Sequence, residues 1–426
     1  MKTKSFVFCC LCIVLLICNA CENPFSNTPD EDTTMLWPAS DSTGLWGYIN
    51  EKGEMVIPAK YFHTFGFSCG RAMVLQESVY DMAFIDKNGS ILFTRNSDED
   101  YDTYFYYGCC RVYKVLPTSL GLGSPPIAMI DDNFNILFQA DSYYRFMNPM
   151  TKDGLVLTDL GYLNKKGEII FPKENIRLND VSCFDFCDGV AVLAPSWKRK
   201  DGHIYPQYGA INTKGEFVID SIYYLLQSVG CNRLLYHTEV EKAGEAPLLV
   251  GLMDTQGNII TEPFIEGGYS MFFGDGDLLP ARDYYQGKWG YIDKNGTWQI
   301  PAQYDRAYPF YEGVAWVLNR EDGWKLIDLK GNVVLALDDV NKSPNGMFHN
   351  GLCLIWDSTN RQNMYINKQG EVIYSWTSKS AKKQSNSLEK TDPISIDYDE
   401  MLLRLFEGTN YYPLAEQSLR TRKLNN

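Results

Sequence analysis

The chain has 426 residues, 45% of them apolar and 14% aromatic, and a formal net charge of −14. No basic stripe runs through its body, which excludes a protein built to hold nucleic-acid phosphates. A chain of this length would ordinarily divide into two or three domains, but an array of small repeats grows without dividing.

The first element is a targeting segment. Lys2 and Lys4 precede the apolar run Phe6 to Ile17, and Ala20-Cys21 follows. A positive head and an apolar stretch this short make a signal peptide over residues 1–20, not a membrane span. The run resembles a bacterial lipoprotein signal with Cys21 as the lipidated residue; Cys18 departs from the Leu usual three positions before the cut. The alternative is an ordinary secretory peptide cleaved near Ala20. Residues 21–44, rich in Ser, Thr, Pro and acids, read as a flexible tether.

From residue 45 to 376 the chain is a β array. The best-formed stretch is Trp289-Gly290-Tyr291-Ile292-Asp293-Lys294-Asn295-Gly296-Thr297-Trp298-Gln299-Ile300-Pro301, a tight hairpin. Asp at the first turn position can bond its own backbone, and Gly at the fourth takes φ > 0 without steric cost. The marker recurs at Asn50/Gly53, Asp86/Gly89, Asn164/Gly167, Asn212/Gly215, Asp254/Gly257, Asp328/Gly331 and Asn367/Gly370. A degenerate ninth copy has Asp131 with Phe134 in the glycine position. Successive copies lie about 40 residues apart, the period of solenoid, propeller or array units. Most copies carry a second landmark, Gly-x-small, as in Gly70-Arg71-Ala72, Gly189-Val190-Ala191 and Gly313-Val314-Ala315, which opens a strand running on into the next hairpin.

These residues resemble the WG-repeat family of bacterial proteins, most fully at Trp46-Gly47 and Trp289-Gly290; the other copies keep the turn and lose the dipeptide. The hairpins also look distantly like the aromatic-Gly repeats of cell-wall choline-binding modules. The resemblance implies a repeat scaffold and no particular activity. The expected class is all-β, made of about nine antiparallel hairpin or meander units of about 40 residues. They form an open β-solenoid-like array or a β-propeller-like one. The open form is favoured because unit lengths vary, the first hairpin lacks a preceding strand, and the ninth unit stops after its hairpin.

Within the array, the aromatic run Tyr101 to Tyr107 reads as a strand plus connector, and Ser196 to Pro206 as an inserted loop with basic Lys198-Arg199-Lys200. Residues 377–426 are a polar linker and a capping segment, with a short amphipathic helix over Met401 to Phe406.

No chemistry stands out. Cys183 and Cys187 have the spacing of a metal pair or a disulfide, but no second pair or nearby His completes four ligands. Cys110 and Cys353 fall in the slot of Ala72, Ala191 and Ala315, where a thiol acts as a small hydrophobe. His63, His203, His237 and His349 are scattered, and no motif nominates a nucleophile. Gly274-Asp275-Gly276-Asp277 lacks the alternating ligands of a calcium loop. No cofactor, metal or catalytic residue is therefore expected. Trp46, Trp289 and Trp324 share one repeat slot and read as core pillars. The less regular Trp298, Trp316, Trp356 and Trp376 are the candidates for ligand contact. The reading is a non-enzymatic, lipid-anchored cell-envelope scaffold, at the outer membrane or cell surface, binding an envelope protein or a cell-wall or surface glycan. The alternative is an envelope enzyme, carbohydrate-active or peptidase-like, with a site built from inter-repeat loops.

Overall fold

A computed structural model of the chain describes residues 35–377, apart from positions 79, 116–124, 176–184, 201–202, 239–248, 268–270, 338 and 340. The signal peptide, Cys21, the tether up to residue 34, Cys183, and the linker and helix expected beyond residue 377 lie outside the described residues.

The described residues are all-β, interrupted only by single 3-10 turns at Lys173–Asn175 and Asp275–Asp277. Nine units follow one plan, in which an opening, a central and a closing strand form an antiparallel meander. In unit 1 these are Trp37–Ser40, Trp46–Ile49 and Met55–Tyr61. In unit 7 they are Leu279–Asp283, Trp289–Ile292 and Trp298–Tyr304. Short connector strands, such as His63–Thr64 and Arg306–Ala307, pair with the far edge of the next opening strand. Units 6 and 7 merge through Ile265–Glu266 into one seven-stranded sheet, so nine units make eight sheets.

Burial explains the sequence pattern. Central strands are covered on both faces by neighbouring units, so Tyr48, Ile49, Tyr291 and Ile292 are all fully buried. Closing strands alternate, with Ile57 and Tyr61 inward and Val56 outward. Each boundary between units is an apolar cluster. Tyr48, Ile57 and Tyr61 of unit 1 meet Val74, Ala83 and Ile85 of unit 2. Trp316 and Leu326 of unit 8 meet Cys353 and Ile355 of unit 9.

The ends of the array also meet. Trp37, Ala39 and Ile49 of unit 1 cluster with Leu352, Tyr365 and Trp376 of unit 9. Trp37 Nε1 donates to the His349 carbonyl at 3.1 Å, and the Tyr374 hydroxyl to the Ser40 carbonyl at 3.2 Å. Two expectations are corrected here. The tether does not extend to residue 44, because Trp37–Ser40 pairs residue by residue with Trp46–Ile49 and supplies the strand thought missing. The two ends are not without partners, because that strand carries apolar side chains that cluster with unit 9. Ser196 to Pro206 is not a loop either; it prolongs two paired strands, Val190–Lys200 and His203–Asn212. Lys198 and Arg199 on it are exposed.

The nine hairpin turns are alike in atomic detail. In each, the side-chain oxygen of the first Asp or Asn accepts the backbone N–H groups two and four residues on, at 2.8–3.0 Å. The degenerate copy conforms. Phe134 adopts φ 64° in the glycine position, and its ring stacks on Phe93 of the preceding unit at 4.7 Å and 9°.

The second landmark is a two-residue turn with both central residues at positive φ, as at Asp188-Gly189, Glu312-Gly313 and Asn350-Gly351. Carboxylates link these turns in series. Asp188 accepts from the Asn232 N–H at 2.6 Å, Asp275 from Gly313 at 2.8 Å, and Glu312 from Gly351 at 2.9 Å. An opening strand leaves this turn and a central strand runs back to the hairpin turn, so both rows of turns lie at one end of the array. Lys294 and Lys368, each next to a hairpin-turn residue, pair there with Asp277 at 2.6 Å and Glu312 at 3.3 Å.

Candidate binding face at the loop end

The opposite end carries the connections between opening and central strands, and there the repeat is irregular. Among the fully described ones, these loops run from two residues, 159–160, to five, 41–45 and 284–288. Conserved spacing at the turn end and free spacing at the loop end separate a framework from a surface that varies.

The shared-slot tryptophans stand at this loop end, at the start of their central strands, and each is half-buried. Trp46 lies edge-on to His63 at 4.8 Å and to Trp376 at 5.8 Å. Trp324 tilts over Tyr308 at 5.7 Å, and Trp289 packs against the clusters on both sides of unit 7. In units 1 and 7 the fully buried pillar is the tyrosine two residues on. Tyr48 and Tyr291 are buried and donate to the carbonyls of Phe65 and Tyr308 in the next unit, both at 2.7 Å. The glycine between lets the closing strand approach, since a Cβ on Gly290 would lie 2.5 Å from the Ile300 carbonyl oxygen.

The four tryptophans expected to meet a ligand do not assemble. Trp316 is buried, stacked on Phe348 at 6.0 Å, with Nε1 donating to Cys353 Sγ at 3.4 Å. Trp376 is buried in the cluster that joins the ends. Both were expected outside because they break the repeat slot; each is buried in an apolar boundary that a neighbouring unit completes. Trp298 is half-buried at the turn end, and Trp356 half-buried near the loop end. The run Tyr101 to Tyr107 turns inward as strand and connector, with Tyr101, Phe105 and Tyr106 buried.

What the loop end does hold is a cleft of about 320 Å³ between units 7 and 8, lined by Lys288, Gln303, Asp305, Asn319, Arg320, Glu321 and Asp322. Lys288 ends the connection 284–288, on which Tyr285 is 88% exposed and edge-on to Tyr284 at 5.1 Å. The Asp305 carboxyl is held below its usual range by the Lys288 ammonium at 2.7 Å and the Arg320 N–H at 2.8 Å. Asp322 is engaged by Lys325 at 2.8 Å. Among the described residues, the Arg320 guanidinium and Glu321 carboxylate make no hydrogen bond or ion pair. Asn319 Oδ1 is buried without a partner. Only the uneven loop lengths and the Tyr284-Tyr285 pair hinted at this cleft in the sequence.

Two other polar sites lie elsewhere. Arg111, buried, pairs bidentately with Asp102 (2.7 and 2.9 Å), which also accepts from the Tyr113 hydroxyl at 2.8 Å. Burial pushes the nearby Asp185 carboxyl up to about 6, against the opposing pull of its 2.9 Å bond from Asn148 and of Arg111. The acids of residues 274–277 are committed to the protein: Asp275 to Gly313, Asp277 to Lys294 and Cys231. Among the described residues no three His, Cys, Asp or Glu side chains are placed to share a metal. Cys69, Cys109, Cys110, Cys231 and Cys353 are free thiols. Burial pushes the thiols of Cys109 up to about 11 and of Cys353 to about 12.

No curated protein matches the chain. Among solved structures, apo AztD from Citrobacter koseri is similar at 11% identity, covering 72% of this chain and 94% of that one with a TM-score of 0.34. BamB from Moraxella catarrhalis matches at 11% identity over 71% and 86%, TM-score 0.30. The C-terminal WD40 domain of Sif2 matches at 13% over 61% and 75%, TM-score 0.28. At the level of sequence families, three stretches of the chain, residues 46–80, 208–227 and 289–322, match the WG containing repeat.

Proposed function

We propose that the chain is a non-enzymatic scaffold of the cell envelope, anchored by a lipid at Cys21, whose nine units close as a propeller and offer the loop end to an envelope protein or a glycan. The observation that supports this reading is the division between the two ends. At the turn end, repeated hydrogen bonds occupy backbone and carboxylate groups. At the loop end, aromatic side chains stay half-exposed and charged groups in an open cleft stay uncommitted. Such a surface suits recognition through loops on a rigid frame.

The test is retention of the Cys21→Ser chain on isolated cell wall, envelope polysaccharide and immobilised envelope proteins. Saturable retention that falls when loops 284–288 and 320–322 are replaced by Gly-Ser, and persists when the Lys198-Arg199 hairpin is shortened, supports the reading. Retention unaffected by the loop-end changes overturns it. The alternative, an envelope enzyme, draws on one observation, the raised carboxyl of Asp185 beside Asn148. It predicts turnover of a glycan or peptide that Asp185→Asn abolishes.

A further inference from the structure

The geometry points to the cleft between units 7 and 8 as a subsite for one residue of a neutral saccharide, an assignment that rests on the loop-end binding reading and names its ligand class. The charges of the cleft balance in pairs. Lys288 is matched by Asp305 and Asp322 by Lys325, which leaves the Arg320 guanidinium and the Glu321 carboxylate without a hydrogen bond or ion pair among the described residues. A polyanion or polycation would meet a mismatched charge. A ring carrying neighbouring hydroxyls would meet both a planar donor fork and a planar acceptor.

Further acceptor capacity is already in place. Asn319 lines the cleft. The Gln303 amide also faces the cleft, its nitrogen making only a long 3.4 Å contact to Tyr304. The apolar face of a pyranose needs an aromatic surface, and Tyr285 stands exposed on the connection 284–288 that ends at the lining residue Lys288. That connection is held by Asp283, which accepts the Gln286 N–H on its side chain at 2.7 Å and the Gly287 N–H on its carbonyl at 2.9 Å. Planar hydrogen-bonding groups in a cleft and an exposed ring on an adjoining connection are what a carbohydrate subsite requires.

The experiment is saturation-transfer NMR and calorimetry on the full chain in detergent, with chitotetraose and maltotetraose as neutral probes and tetragalacturonate as the acidic one. The expected result is saturable binding of a neutral tetrasaccharide, stronger than that of tetragalacturonate. It should weaken about tenfold or more in Tyr285→Ala and in Arg320→Ala. Both residues are exposed, so unchanged thermal unfolding will confirm that the variants fold; Asn319→Asp gives a third variant, in the lining of the cleft. Neutral binding that survives all three variants places the saccharide elsewhere and overturns the assignment. So does preference for tetragalacturonate, or no binding of either neutral probe. If both neutral probes fail while the chain still retains envelope protein through its loop end, only the saccharide assignment falls. Loss of loop-dependent retention altogether removes the reading beneath it.

Discussion

The Tyr365 hydroxyl donates to the Pro38 carbonyl at 3.0 Å, across 327 residues of chain. It is the bond that Tyr48 makes to Phe65 and Tyr291 to Tyr308, at the same place in the repeat, with the next unit as acceptor. For Tyr365 the next unit is the first. One hydrogen bond of this kind contributes about 1 kcal/mol, so Tyr365→Phe should lower stability by roughly that much. Deleting residues 1–40 removes the acceptor, four ladder positions and Trp37 from the joining cluster. That chain should unfold at much lower urea concentration and be cut by protease within units 1 and 9 first. A deletion that unfolds like the parent would refute the joining of the ends.

The turn glycines separate two costs. Gly296 sits at φ 79°, and a Cβ there would lie 2.5 Å from Thr261 Cγ2 of the preceding unit. Gly313 has a similar φ of 76° with nothing within 4 Å. Gly313→Ala should therefore cost about 1–2 kcal/mol, from backbone strain alone. Gly296→Val adds overlap to strain and should cost about 1–3 kcal/mol or more. Urea midpoints for the two variants check the order; a Gly296→Val chain as stable as Gly313→Ala would mean that units 6 and 7 do not pack as seen.

The hairpins were legible because the Asx-x-x-Gly marker encodes a local hydrogen-bond pattern, and even the copy with Phe134 kept enough of it. The buried Cys110 and Cys353 were legible from the small-residue register. The opening strand Trp37–Ser40 was not, because Trp-Pro-Ala-Ser has no strand signal of its own and is held by partners over 300 residues away. The tryptophans failed for a related reason. Trp316 and Trp376 are buried by neighbouring units, whose approach no local pattern records. The cleft combines side chains from two loops of free sequence, so only the fold brings Lys288 beside Asp305 and Arg320.

Arg111 and Asp102 form the buried ion pair of unit 3, with Arg111 also donating to the Met147 carbonyl of unit 4 at 2.7 Å. A buried pair is costly to break from one side, because the survivor stays charged and desolvated. Asp102→Ala should destabilise by roughly 3–5 kcal/mol. The double variant Asp102→Ala with Arg111→Met should recover much of that loss, since it leaves no orphan charge. Thermal unfolding of both single variants and the double variant measures the coupling. A double variant no more stable than Asp102→Ala would show that the Arg111 contact to unit 4, not the charge balance, dominates.

Asp185 gives the array an acid-side signature. Burial raises its carboxyl from 3.8 to about 6 in the folded chain. The folded state then binds a proton that the unfolded state has released, and stability falls as pH rises between about 4 and about 6. The contribution is fully present below the unfolded value and gone above the folded one. Turn acids act in the opposite sense. Burial pulls Asp254 upward, but the bonds from Asn258 and Gln256 together outweigh it; Asp328 is lowered chiefly by the bond from Asn332, and the stabilisation of both is lost as pH falls below the usual carboxylate range. Stability measured by urea unfolding from pH 3 to pH 8 should therefore rise at the acid end and then decline toward pH 6. Asp185→Asn should remove the decline and leave the rise. Asn148→Ala withdraws the hydrogen bond that favours the ionised form, so it should carry the decline to higher pH. A parent curve with no decline, or one that Asp185→Asn does not alter, would place this carboxyl in water instead.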